Sequence, residues 1–177
     1  MKEKGKIKST FIITKFRDPE GLVEKFARMG KPLDVLKRMF AKHFIEEKVI
    51  HGNIFLNEGI NFIWTAVCGG SFTPFDHEHA HIGVGDGTQP ADATQTGLQG
   101  TNKYYKGMDE GYPIYGSDQK AVFRATFGGT EANWSWNEWS VANGDSDDAI
   151  NLNRKVESLG TKAEGTTWIF TVELSLS

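Results

Sequence analysis

The chain has 177 residues, 38% hydrophobic, 24% charged and 12% aromatic, with a net charge of −3. A chain of this length buries about 70% of its extended surface on folding, which excludes a mini-protein scaffold dependent on disulfides or a structural metal. The single cysteine, Cys68, excludes an intramolecular disulfide, and no apolar run reaches the about 18 residues that span a bilayer.

Charge divides the chain. Residues 1–56 carry 13 Lys and Arg against 7 Asp and Glu, and residues 57–177 carry 7 against 16, giving balances of +6 and −9. All 5 Trp and 16 of the 20 Gly fall in the second part. The expectation is a basic N-terminal arm, residues 1–56, and an acidic β body, residues 57–177. The first residues, Met-Lys-Glu-Lys-Gly-Lys-Ile-Lys, lack the apolar segment of a secretory signal, so a soluble product made in the cytoplasm is expected.

In chain order, Thr10-Phe11-Ile12-Ile13-Thr14 reads as an extended arm or an added strand. Asp18-Pro19 reads as the cap of a short helix carrying Leu22, Val23, Phe26 and Met29 up to Gly30. Leu33, Leu36, Met39, Phe40 and Phe44 form the stripe of a second helix, expected to end near Glu47. A third helix follows Asn57-Glu58-Gly59, with Ile60, Ile63, Trp64 and Val67 on one face and Gly69-Gly70 as its stop.

Strand grammar takes over from there. His79–Val84, Val122–Phe127 and Trp134–Val141 alternate, and Trp168, Phe170, Val172, Leu174 and Leu176 share one face of a C-terminal strand. Residues 86–105 form a polar surface excursion. Short strands with glycine-rich turns predict a mainly β fold, an antiparallel β-sandwich or jelly-roll-like body with a basic, partly helical arm.

The strongest candidate for chemistry is Asp76-His77-Glu78-His79-Ala80-His81. On a strand, His77, His79 and His81 project from one face, and neutral imidazoles suit zinc, nickel or iron, so a transition metal is expected here if a symmetry axis gathers the rings; the alternative is a solvated loop. Gly83-Val84-Gly85-Asp86-Gly87 lacks the following helix of a nucleotide loop. Asp145-Ser146-Asp147-Asp148 lacks the glycine and distal glutamate of an EF-hand and reads as a hairpin tip. Cys68, in an apolar stretch, reads as a packing residue. Trp134 and Trp136 share one strand face and Trp139 takes the other, so one face is core and the other core, a subunit contact or a sugar platform.

No catalytic constellation emerges, and no DNA-binding motif accompanies the basic arm. A +6 segment and a −9 body suit contact between copies or with another protein. The candidate interface residues are Phe11, Ile12 and Ile13 in the arm, Lys37, Arg38 and Phe40 in its second helix, and Trp134 and Trp136 in the body.

Several stretches occur in a fixed order: Asn57-Glu58-Gly59-Ile60-Asn61-Phe62-Ile63-Trp64, Ile82-Gly83-Val84-Gly85-Asp86-Gly87-Thr88, Gln95-Thr96-Gly97-Leu98-Gln99, Phe123-Arg124-Ala125-Thr126-Phe127, Ala132-Asn133-Trp134-Ser135-Trp136-Asn137-Glu138-Trp139 and Leu152-Asn153-Arg154. Over residues 57–177 this order resembles virion structural proteins of tailed bacteriophages. The resemblance implies a non-enzymatic capsid decoration or cement protein, with a tail or head fibre component as the alternative. It further implies a virion location after assembly in the host cytoplasm, the major capsid protein or other virion proteins as partners, and a homo-oligomer, with a trimer favoured. Neither nucleic acid nor membrane is an expected partner. A metal-dependent hydrolase built on the three histidines is the enzymatic alternative.

Overall fold

A computed structural model describes residues 7–176. Two five-stranded antiparallel sheets face each other across one core. In chain order the elements are β1 (Ile7–Arg17), α1 (Leu22–Arg28), α2 (Leu33–Met39), β2 (Phe44–His51), β3 (Ile54–Phe55), α3 (Asn57–Val67), β4 (His81–Gly85), β5 (Lys103–Gly107), β6 (Ile114–Ser117), β7 (Lys120–Phe127), β8 (Ser135–Ala142), β9 (Asn153–Thr161) and β10 (Thr166–Leu176). The sheet orders are β2-β1-β10-β7-β6 and β3-β9-β8-β4-β5.

The C-terminal strand behaves as its alternation dictates. Trp168, Phe170, Val172 and Leu174 enter the core, and only Leu176, at 56% exposure, leaves it. Aromatic edges interlock the sheets: Phe11 meets Trp139 at 5.2 Å between ring centroids, and Trp136 meets Trp168 at 4.8 Å.

The expected arm is corrected by the pairing of β1. Residues 7–17 lie between β2 and β10, with Phe11 opposite Val172 and Ile13 opposite Phe170. Phe11 and Ile13 are fully buried, so they are core rather than interface. Two basic residues of the first third reach β9: Lys15, which pairs with Glu46 of its own third, donates to the Leu159 carbonyl, and Lys48 donates to the Ser158 carbonyl and lies 3.5 Å from Glu157.

The outer face of the first sheet is covered by α1 and α2. Phe16 and Ile169 point outward and bury Val23, Ala27 and Leu36 in a second, smaller core. The Asp18 carboxylate accepts from the Val23 and Glu24 amides at 3.1 and 2.9 Å, capping α1 from outside its first turn. At the other end, Arg124 donates to the Ala27 and Lys31 carbonyls and to Asp109.

The second helix stops at Met39 rather than near Glu47. Phe44 keeps the helical stripe on paper, but β1 offers an open edge, and the β-rich segment Phe44–His51 pairs with it. The third helix ends before Gly69-Gly70 as expected, but Asn57-Glu58-Gly59 forms its first turn rather than its cap.

Candidate functional site

The histidine run is a turn, not a strand. Residues 77–79 turn, and β4 begins at His81, so the three rings do not share a strand face. Each ring has its own hydrogen-bond partner: His77 Nδ1 lies 2.8 Å from the Tyr112 carbonyl, His79 Nδ1 2.7 Å from Asp76, and His81 Nδ1 2.7 Å from the His79 carbonyl. Among the described residues, no group of three or more His, Cys, Asp or Glu is placed to hold a metal ion.

The motifs of the resemblance converge elsewhere, on the outer face of the second sheet. Glu138 and Arg154 are both completely buried there, with Arg154 Nε and Nη2 at 2.7 and 2.6 Å from Glu138 Oε2. Glu138 also accepts the Gln99 and Gly100 amides, so the carboxylate is met by two backbone donors and one guanidinium. Arg154 Nη1 reaches Gln95 Oε1 at 2.8 Å. Glu58, at the start of α3, accepts the Gly97 and Asn151 amides. The segment between β4 and β5 is thereby folded down onto β8 and β9.

The glycines of this segment make room for that network. A Cβ on Gly85 would lie 2.6 Å from Glu138 Oε1, and one on Gly87 2.5 Å from the same atom. Asp86 accepts from the Thr101 and Asn102 amides and the Asn102 side chain. Against its slight burial, which works the other way, these bonds hold Asp86 below the usual carboxylate range. The Gly-x-Gly-Asp-Gly signature is therefore a packing device for a buried ion pair.

The tryptophan pattern is also reset by a local irregularity. Pairing between β8 and β9 slips between Trp136 and Glu138, a bulge that places Trp136 and Trp139 together in the core and Glu138 on the opposite face. Trp136 is fully buried and is not an interface residue, while Trp134 is half-buried against the core. Of the other interface candidates, Ile12 is half-buried, Lys37 pairs with Glu47 at 2.6 Å, Arg38 pairs with Asp34 at 3.0 Å, and Phe40 packs on the smaller core.

The exposed acidic tip is tied down through Asp147, which receives Lys103 at 2.6 Å and the Tyr105 hydroxyl at 2.8 Å. Burial, and then the Asp147 carboxylate, push the Tyr105 phenol upward. Cys68 is exposed at the end of α3, not packed. Lys162 sits at 1% exposure, donating to the Gly128 carbonyl and to Asn133. Burial pushes its ammonium down to about 8, against the opposing attraction of Glu131 and Glu24 and with a smaller push from Lys106.

A surface missed from the sequence lies on α3. Its shared face of Ile60, Trp64 and Val67 points to solvent, at 38%, 62% and 70% exposure. The inward face is made by Gly59 and Phe62, because only glycine lets the helix approach Leu152, where a Cβ would lie 2.5 Å from the carbonyl oxygen. The stretch from Ile60 to Phe75 contains no charged residue, the one signal that could have marked it. Beside it an apolar cleft of about 660 Å³ opens at the end of the sandwich, with Phe55, Ile63, Phe123 and Leu174 in its wall.

No protein family, curated protein or solved structure matches the chain.

Proposed function

We propose that this protein is a non-enzymatic virion structural protein of a tailed bacteriophage, a capsid decoration or cement protein that binds the head surface and stabilises the particle. The observation that carries the reading is the use of the motif residues. Gly85, Asp86, Gly97, Glu138 and Arg154 hold one loop against one sheet, an architectural role suited to a protein whose task is to present rigid surfaces. The sandwich has no free arm within residues 7–56 to reach a neighbour, so contact with the major capsid protein falls to its folded surfaces. Modest contacts repeated over a symmetric shell add to a large restraint against expansion.

Co-sedimentation of the full chain with undecorated tailed-phage heads tests this. Saturable binding at a fixed number of copies per head is expected. Absence of binding overturns the decoration role, and adherence to host cells instead would put the fibre component in its place.

A further inference from the structure

We propose that the largely apolar face formed by α3 and the adjoining cleft is a self-association surface, occupied by the same face of a second copy of this chain in a two-fold contact. Around the helix, Ile63 lies next to Ile60, Trp64 and Val67, so the stripe runs without a break into the cleft that Ile63 lines. The opposite wall brings Gly116 and Ser117 of β6, next to exposed Ile114 and Tyr115, and Leu176 of β10.

Two observations select the occupant. The first is charge. Ile60–Phe75 and Gly111–Ser117 carry no charged residue in a chain that is 24% charged, and the two charged residues on the cleft wall, Asp118 and Lys120, are of opposite sign, so two copies meet here without net like-charge repulsion. The second is area. Ile60, Trp64, Val67, Ile114, Tyr115 and Leu176 are between 38% and 72% exposed and together present on the order of 800 Å², one partner's share of a standard interface. Helix and cleft lying side by side make the patch both knob and hole, as a contact repeated about a two-fold axis requires.

The test is sedimentation equilibrium of the full-length protein, wild type and with Trp64→Glu or Val67→Glu, each first shown to keep the wild-type thermal unfolding curve. Both positions are more than half exposed, so the fold tolerates the change. A wild-type mass of two chains, with association weakened about thirtyfold or more in both variants, is expected for residues central to an interface. Lys25→Glu, on the exposed side of α1, should leave the mass unchanged. A wild type that stays monomeric, a mass of three chains, or a dimer indifferent to both variants overturns the proposal, as does uptake of an apolar fluorophore into the cleft of a monomer. Because the free protein is measured, this result and failure to bind heads are read separately.

Discussion

Glu138 and Arg154 form a charge pair with no solvent exposure, and the energetics of such pairs are asymmetric. Removing one partner strands the other, so Glu138→Ala should cost about 3–5 kcal/mol in urea unfolding and speed hydrogen exchange at Gln99 and Gly100, whose amides lose their acceptor. A loss below about 1 kcal/mol would show that the pair does not hold the loop. Lys162 gives a second residue-level expectation, with a defined sign. Its folded-state pKa is lowered from 10.5 to about 8, so between these values the unfolded chain holds a proton that the folded chain has released. Stability contributed by this group therefore rises with pH across that window. Lys162→Met should flatten the rise, measured as the urea midpoint against pH; an unchanged slope would contradict the assignment. The glycine signature was plain in the sequence, but its purpose was not, because Glu138 lies far along the chain and only pairing of Gly85 with Glu138 reveals what the missing side chains leave room for.

At the scale of elements, helices α1 and α3 and strands β4, β7, β8 and β10 were legible because apolar periodicity and alternation are local, although the helices start from Gly21 and Leu56 rather than from the caps expected at Asp18 and Asn57. What escaped depends on neighbours. Strand β2 forms because β1 presents an edge, and the polar strands β5 and β9 are held by ladder bonds and ion pairs rather than by an apolar face. Pairing of β8 with β9 is irregular between Trp136 and Glu138, where β9 carries the extra residues, and the simple alternation of β8 breaks there, so Trp139 and not Trp134 joins Trp136 inside. Helix α3 was placed correctly, but which of its faces is covered was not legible, since apolar spacing identifies a stripe without saying what covers it. Gly59→Ala separates the two faces. Helix propensity alone would favour alanine by about 1 kcal/mol, yet the added Cβ meets Leu152 backbone at 2.5 and 2.6 Å. Net destabilisation of about 1–3 kcal/mol is expected in thermal or urea unfolding. Stabilisation would mean that α3 does not sit closely on Asn151 and Leu152.

For the whole molecule, the basic first third was read as an arm reaching a partner, whereas β1 is a middle strand of the first sheet and basic residues of this third pair with acids of the same third, Lys15 with Glu46 and Lys37 with Glu47, while Lys48 reaches across to Glu157. Deleting residues 1–48 should therefore abolish cooperative unfolding, because it removes Phe11 and Ile13 from the core and uncovers a full edge of β10. A truncated chain with a wild-type near-ultraviolet circular dichroism spectrum would contradict that integration. The metal, trimer and virion expectations concern what lies outside a single chain, and local spacing had no means to supply them. The central claim, a protein that reinforces a viral shell by binding its surface, is reached most directly by measuring the temperature at which undecorated tailed-phage heads release their genome, with and without saturating full-length protein. The account predicts a higher release temperature that follows the saturation of binding. Binding that leaves the release temperature unchanged would contradict it.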